Sequence, residues 1–291
     1  MAIPILKNWQ EYFTENPDEG LGSSYERIVL NRKLHEIIQK YKCETVLEVP
    51  TFGFTGISGI NSMGLSKEGL DVYLIDNDRN RIELVRDVWK KVGLHADFLF
   101  QENFEKLGFL NKTFDLTWNF SSLWFVNNLD EFLGELARVT KKVIFICVPN
   151  RSGFGYLQQK YSSLQELKKH LKEKNIIPKN IIKIMNKLNW KLVEKNYIDA
   201  PPWPDIGMNK EKFLASLHLS FLLKKKQKEQ AEKLCILDYY SGKDTAFPTN
   251  MMKHYWFERI APKFIKFLWA HHKFMLFVNN VEYENSNLEN S

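Results

Sequence analysis

The chain has 291 residues with 44% hydrophobic, 26% charged and 14% aromatic side chains, a balance that excludes a disordered chain or a fibre and, at about 150 residues per domain, allows two domains or one α/β domain with additions. The net charge of +6 is regional: residues 151–233 hold 18 basic and 8 acidic side chains, or +10, and the rest sums to −4, which reads first as the solvated face of Lys-rich helices and second as a surface for anionic lipid or nucleic acid. Three scattered cysteines (Cys43, Cys147 and Cys235) without a Cys-x-x-Cys exclude a disulfide scaffold and a cysteine zinc knuckle, and with neither a leader pattern nor a run of 18 apolar residues the expectation is a cytoplasmic protein without a signal peptide or transmembrane span.

Residues 1–45 have helical character, with Leu30, Leu34, Ile37, Ile38 and Tyr41 forming one apolar stripe and Ser23 to Glu26 offering a capping box ahead of it. The period then changes. Thr45 to Val49 is a short apolar run that leads into the Gly-containing loop Pro50 to Gly59, the pattern of a buried parallel strand. Further strands are predicted at Asp71–Asp76, Asp97–Phe100, Phe114–Asn119 and Lys142–Pro149, separated by helices near 60–69, Asn80–Val92 and Leu129–Thr140. That alternation predicts a doubly wound, mostly parallel sheet. Residues 158–190 read as helices interrupted at Pro178, Trp190–Asp199 as a sixth strand, 208–240 as Lys-rich helix, and Lys273–Asn279 as a last strand. The Pro-rich run Ala200 to Pro204 breaks regular structure, and the polar tail from Glu282 is read as frayed.

In an open parallel sheet, ligands bind beyond the carboxyl ends of the strands where strand order reverses. The first strand ends Glu48-Val49-Pro50-Thr51-Phe52-Gly53-Phe54-Thr55-Gly56. No Walker A loop is present, and Gly53, Gly56 and Gly59 are each three apart, so the close Gly pair of a dinucleotide fingerprint is missing. Asp76 ends the second strand 23 residues after Gly53, where a carboxylate can accept both hydroxyls of a ribose. Asp78 reads as the N-cap of the following helix.

Val46-Leu47-Glu48-Val49 followed by Gly53 and Gly56 resembles the first motif of class I S-adenosylmethionine-dependent methyltransferases. The sequence departs from it at Pro50, which stands where the first Gly is usual, and at Thr51 and Phe52, where small residues are common. The resemblance covers residues 45–150, and the segment from Leu129 to Val143 carries it further. It implies S-adenosyl-L-methionine as cofactor, held by Glu48, Thr51, Phe52, Gly53 and Gly56 on the first loop and by Asp76 and Asn77 after the second strand. Asn103 would meet the adenine amino group, with Phe104 along the base, and Asn119 and Phe120 would flank the methyl group. It also implies a seventh strand inserted antiparallel. The expected fold is therefore an α/β, doubly wound, seven-stranded, mostly parallel sheet. A helical extension occupies 1–44, the methyltransferase core 45–199 and 263–281, and an inserted helical cap 200–262.

The expected reaction is direct displacement of the methyl group onto a small-molecule or lipid-like acceptor, with no universal catalytic base. His218, His254, His271, His272, Tyr239 and Tyr240 are candidate bases. His271 and His272 would point to opposite faces of a strand, and no acidic cluster stands near them in sequence, so no metal site is read. The aromatic- and Lys-rich run from Phe247 to Trp269 reads first as packing and second as an amphipathic surface for an apolar acceptor or peripheral membrane contact, with nucleic acid last. The alternatives are a non-catalytic cofactor- or partner-binding module and an NAD or nucleotide-sugar Rossmann enzyme. Oligomeric state is left open.

Overall fold

The computed structural model describes residues 20–52, 59–162, 171–203 and 234–279. The apolar runs become β1 (Thr45–Glu48), β2 (Asp71–Asp76), β3 (Asp97–Phe100), β4 (Phe114–Phe120), β5 (Thr140–Pro149), β6 (Trp190–Ile198) and β7 (His272–Asn279). They form one sheet in the order β3-β2-β1-β4-β5-β7-β6. The pairs β1–β2, β2–β3, β1–β4 and β4–β5 are parallel, whereas β7 runs antiparallel to both β5 and β6. The α/β fold with a seven-stranded, mostly parallel sheet and an antiparallel last strand is thus as expected, with boundaries shifted by one or two residues. From β1 the chain steps outward through β2 to β3, then returns to place β4 on β1's other side. The carboxyl ends of β1 and β4 therefore bound the crevice where strand order reverses.

The described helices are α1 (Gly20–Tyr41), α2 (Met63–Lys67), α3 (Arg79–Lys91), α4 (Leu129–Val139), α5 (Phe154–Ser162), α6 (Pro178–Lys187), α7 (Ile236–Tyr240), α8 (Phe247–Met252), α9 (Trp256–Ile260) and α10 (Lys263–Trp269). Side-chain alternation splits the core between the two sheet faces. Val46, Leu74, Trp118, Phe145 and Leu276 pack with Leu30 and Leu34 of α1 and Trp89 of α3. Leu47, Ile75, Ile144, Ile146 and Phe277 pack with Phe132 and Leu136 of α4 and Ile181 of α6. All seven residues of β4 are buried, as a strand flanked on both edges and covered on both faces requires.

Local chemistry sets the helix ends. Asp78 caps α3 by accepting from the Arg81 amide at 3.1 Å, as read from the sequence, and Asn128 caps α4 through the Asp130 and Glu131 amides. Pro178 opens α6 in its first turn, where its missing N–H costs nothing. One expectation fails: Ser23 does not cap the apolar stripe, because α1 is already under way at Gly20, and Ser24 and Glu26 are buried inside it. The Lys-rich helix expected over 208–240 lies outside the described residues except at its end, where α7 forms.

Candidate functional site

Glu48 is the last residue of β1 and is 1% exposed. The Ser62 hydroxyl donates to its Oε2 at 2.6 Å. Burial pushes its carboxyl up to about 7, although hydrogen bonds from Ser62 and Asn61 and the charge of Arg27 act the other way. Arg27 reaches this place from α1, with Nη1 donating to Asn61 at 2.5 Å. The loop after β1 begins with a cis Val49–Pro50 bond. Gly53 and Gly56, both expected to face the cofactor, lie outside the described residues. The loop's far end is Gly59, whose φ of +72° favours glycine and where a Cβ would meet Val85 Cγ1 at 2.7 Å. The Gly59 carbonyl accepts from the Trp89 indole at 2.9 Å, which ties the loop to α3.

Asp76 ends β2, two residues beyond Leu74, the parallel register partner of Glu48. It is buried and densely bonded. Thr51 Oγ1 donates to Oδ2 at 2.9 Å, and the Asp78 amide donates to Oδ1 at 3.0 Å. Arg81 forms a two-pronged ion pair with it, Nε to Oδ2 at 2.8 Å and Nη2 to Oδ1 at 2.5 Å. The Arg81 guanidinium also lies 4.0 Å above the ring of Phe52, which packs edge-on against Phe125. A space of only about 10 Å³ remains between Thr51, Leu74, Asp76, Ile82, Val85 and Phe98. Ribose hydroxyls that bond to Asp76 must therefore share or displace Arg81, a partner that sequence reasoning missed. Its signal was spacing: Arg81 stands one helical turn and a cap after Asp76. Asn77 is exposed and accepts from Arg81 Nη2 at 3.3 Å.

At the end of β4 the arrangement differs. Asn119 is fully buried, and neither amide atom has a hydrogen-bond partner among the described residues; the same holds for the hydroxyls of Ser121 and Ser122. Such a cluster of buried, unsatisfied donors and acceptors is costly unless something polar meets it. Phe120 is buried with its ring 4.5 Å from that of His272. Two expected cofactor contacts, Asn103 and Phe104, also have contacts within the protein. Asn103 is exposed, and its Oδ1 accepts from the Glu105 amide at 2.8 Å in a tight turn. Phe104 is 5% exposed and belongs to the apolar core beneath the sheet.

The histidine pair is placed differently from the strand argument. His271 precedes β7, so the two rings do not point oppositely, and both reach one carboxylate. His271 Nδ1 is 2.7 Å from Asp199 Oδ2, and His272 Nδ1 is 3.7 Å from it. The acidic neighbours missing from the local sequence come from Asp199 at the end of β6 and Glu26 on α1, whose Oε2 is 3.7 Å from His272 Nδ1. Burial alone would raise Asp199, but the two histidines hold its carboxyl well below the usual range. Asp199 follows β6 as Asp76 closes β2; the rule about acidic residues at strand ends could have found it. Among the other candidate bases, Tyr240 accepts from Asn31 Nδ2 at 2.7 Å, Tyr239 lies under Lys67, and His254 packs edge-on against Trp203. His218 lies outside the described residues.

Residues 54–147 match the model of a family described as methyltransferase domain. No curated protein matches the sequence. A structure from Galdieria sulphuraria, provisionally assigned as a sarcosine dimethylglycine methyltransferase, aligns with a TM-score of 0.50 at 11% identity, covering 85% of this chain and 84% of that one. A SAM-dependent methyltransferase from Methanosarcina mazei aligns with a TM-score of 0.44 at 17% identity over 55% of this chain and 87% of its own. The YcgJ protein of Bacillus subtilis gives 0.48 at 11% identity, covering 85% and 98%. At 11% identity the Galdieria sulphuraria structure bears on the fold alone. The family match bears on the chemistry: residues 54–147 are similar to a methyltransferase domain, a likeness that implies S-adenosylmethionine as cofactor. The residues present fit that group, because the amide of Asn119 and hydroxyls of Ser121 and Ser122 have no hydrogen-bond partner among the described residues, just beyond the Trp118 that pairs in register with the buried Glu48.

Proposed function

We propose that this methyltransferase acts on a small-molecule or lipid-like acceptor, with the cofactor held at the carboxyl ends of β1, β2 and β4. Bound there, the cofactor supplies an electrophilic methyl on a cationic sulfonium. The observation that carries the placement is the buried, unpartnered amide of Asn119, one residue beyond the Trp118 that pairs in register with Glu48. Glu48 would attract the ammonium end of the ligand, Asp76 would take the ribose hydroxyls, and Phe120 would exclude water near the reacting atoms. Gly53 and Gly56 on the intervening loop complete the proposed set. Asn77, Asn103 and Phe104 are less well supported because each already serves a local turn, an ion pair or the core.

The acceptor class rests on a surface near the carboxyl ends of β5 and β6, where Asn150 donates to the Phe267 carbonyl and Trp269 to that of Pro201. Trp256 and Ile260 of α9 and Phe264, Phe267 and Leu268 of α10 are between 40% and 71% exposed, with Arg259, Lys263 and Lys266 interspersed. An apolar acceptor or an anionic lipid surface suits such a face. Calorimetric titration with S-adenosylhomocysteine, with NAD as control, tests the cofactor assignment. Saturable binding of the former alone, weakened in Glu48→Ala and Asp76→Ala, is expected. NAD binding, or full affinity in both variants, overturns the placement.

A further inference from the structure

Glu26, Asp199 and His272 come from α1, the end of β6 and the start of β7, separated by more than 70 residues at every step. Their exposures are 3%, 2% and 0%, and one ligand-competent atom from each lies within 4.8 Å of the other two. Two buried carboxylates at this spacing repel each other, a repulsion that a cation between them relieves.

Hydrogen bonding within the cluster does not account for the geometry. His272 Nδ1 stands 3.7 Å from both Glu26 Oε2 and Asp199 Oδ2, whereas a hydrogen bond would bring the atoms to about 2.9 Å. Neither ring nitrogen of His272, nor Asp199 Oδ1, has a hydrogen-bond partner among the described residues. A fully buried imidazole with both nitrogens unsatisfied is costly unless something polar meets it. By contrast, two ligands about 2.1 Å from one tetrahedral ion stand about 3.4 Å apart, close to the separations seen. Asp199 is also supported as a metal ligand usually is: Oδ2 is held by His271 Nδ1 at 2.7 Å, and its backbone amide donates to Glu258 Oε1 at 3.2 Å.

We propose that Glu26, Asp199 and His272 bind one divalent transition-metal ion, of which zinc is the best match. One imidazole and two carboxylates suit zinc or a neighbouring first-row ion better than calcium or magnesium, which prefer all-oxygen cages. Three protein ligands leave one tetrahedral position open. That position is at the carboxyl end of the sheet, since His272 pairs with Pro149 and Ile198 and its ring touches Phe120. The site does not depend on the methyltransferase reading, and its test does not use activity.

The full chain, freed of any affinity tag and stripped with chelator, is titrated with Zn²⁺ by calorimetry and with Co²⁺ by visible absorption. The expected result is one equivalent of Zn²⁺ per chain, a higher thermal midpoint with Zn²⁺, and the visible bands of a tetrahedral Co²⁺ complex. Glu26→Gln, which keeps shape and removes charge, should weaken Zn²⁺ at least about tenfold, while His254→Ala should leave it unchanged. Wild-type protein that stays folded and shows no saturable Zn²⁺ or Co²⁺ binding overturns the proposal. So does stoichiometric binding that Glu26→Gln and Asp199→Asn leave intact, which would place the ion elsewhere.

Discussion

Two carboxylates end adjacent parallel strands, yet they keep different company. Asp76 is paired with Arg81, whereas Glu48 has only hydroxyl and amide donors at hand and a more distant Arg27, and burial pushes it up to about 7. A ligand ammonium beside Glu48 favours the ionised form. Affinity for S-adenosylhomocysteine should therefore rise between pH 6 and pH 8, approaching about tenfold per pH unit below the Glu48 value. Glu48→Gln should bind more weakly and lose most of that slope; calorimetry at three pH values reads both, and an unchanged slope in the variant would separate Glu48 from the ligand. The carboxylates themselves were legible in the sequence, because a strand end in an open parallel sheet is a fixed place. Their partners were less so. Arg81 left a trace in its spacing from Asp76, but Arg27 is chosen by packing, and nothing in the pattern around it distinguishes a buried guanidinium from a solvated one. Glu26 illustrates the same limit: three residues after Ser23 it has the spacing of a capping box, but the helix starts earlier and turns it toward Asp199 and His272.

At the scale of elements, hydrophobic period was a sound guide wherever burial is two-sided. The stretches Val46–Leu47 of β1, Val72–Ile75 of β2 and Val143–Val148 of β5 are continuous and apolar because helices cover both faces of the sheet, whereas β4 alternates yet is buried throughout. Beyond Asp199 the guide weakens, because short helices bury one or two side chains each and leave no period to read. Phe247 and Met251 of α8 enter the core, while α10 has no buried residue. The aromatic run thus divides into a packing half and an exposed half, where sequence alone offered one or the other. The division predicts opposite phenotypes. Phe247→Ala should lower unfolding free energy by about 3–5 kcal/mol. Phe264→Ser should change it by less than about 0.5 kcal/mol, yet reduce adsorption to anionic phospholipid vesicles. Urea unfolding and vesicle co-sedimentation measure the two effects. A strong loss of stability in Phe264→Ser would mean that α10 packs in solution; unaltered adsorption would remove this face from the acceptor argument.

For the whole molecule, these local environments combine into a pH dependence of stability. Glu48 and Glu258 are both raised from 4.5 to about 7, chiefly by burial, with the charge of Asp199 adding to the effect on Glu258. The folded state therefore keeps two protons that the unfolded chain releases. The stability they confer is complete below about pH 4.5 and is lost as pH rises through about 7. Asp115 and Glu135 have the opposite sign. Burial alone would raise Asp115, but the Glu44 and Thr45 amides and Lys142 outweigh it, and Arg138 is the main cause for Glu135. Their contribution is present above the ordinary carboxylate range and disappears on acidification. The two sets together place maximum stability of the ligand-free, chelator-treated protein on the acid side of neutrality, near pH 5 to 6 by this reckoning. Each raised carboxyl adds up to about 1.4 kcal/mol of loss per pH unit between about 5 and 7. Thermal midpoints from pH 4 to pH 9 should trace that asymmetric curve, and Glu48→Gln should flatten its alkaline limb while leaving the acid limb in place. A midpoint that climbs steadily to pH 8 would show that Glu48 and Glu258 are ionised in the folded protein, which requires the Arg27 charge to outweigh burial at Glu48.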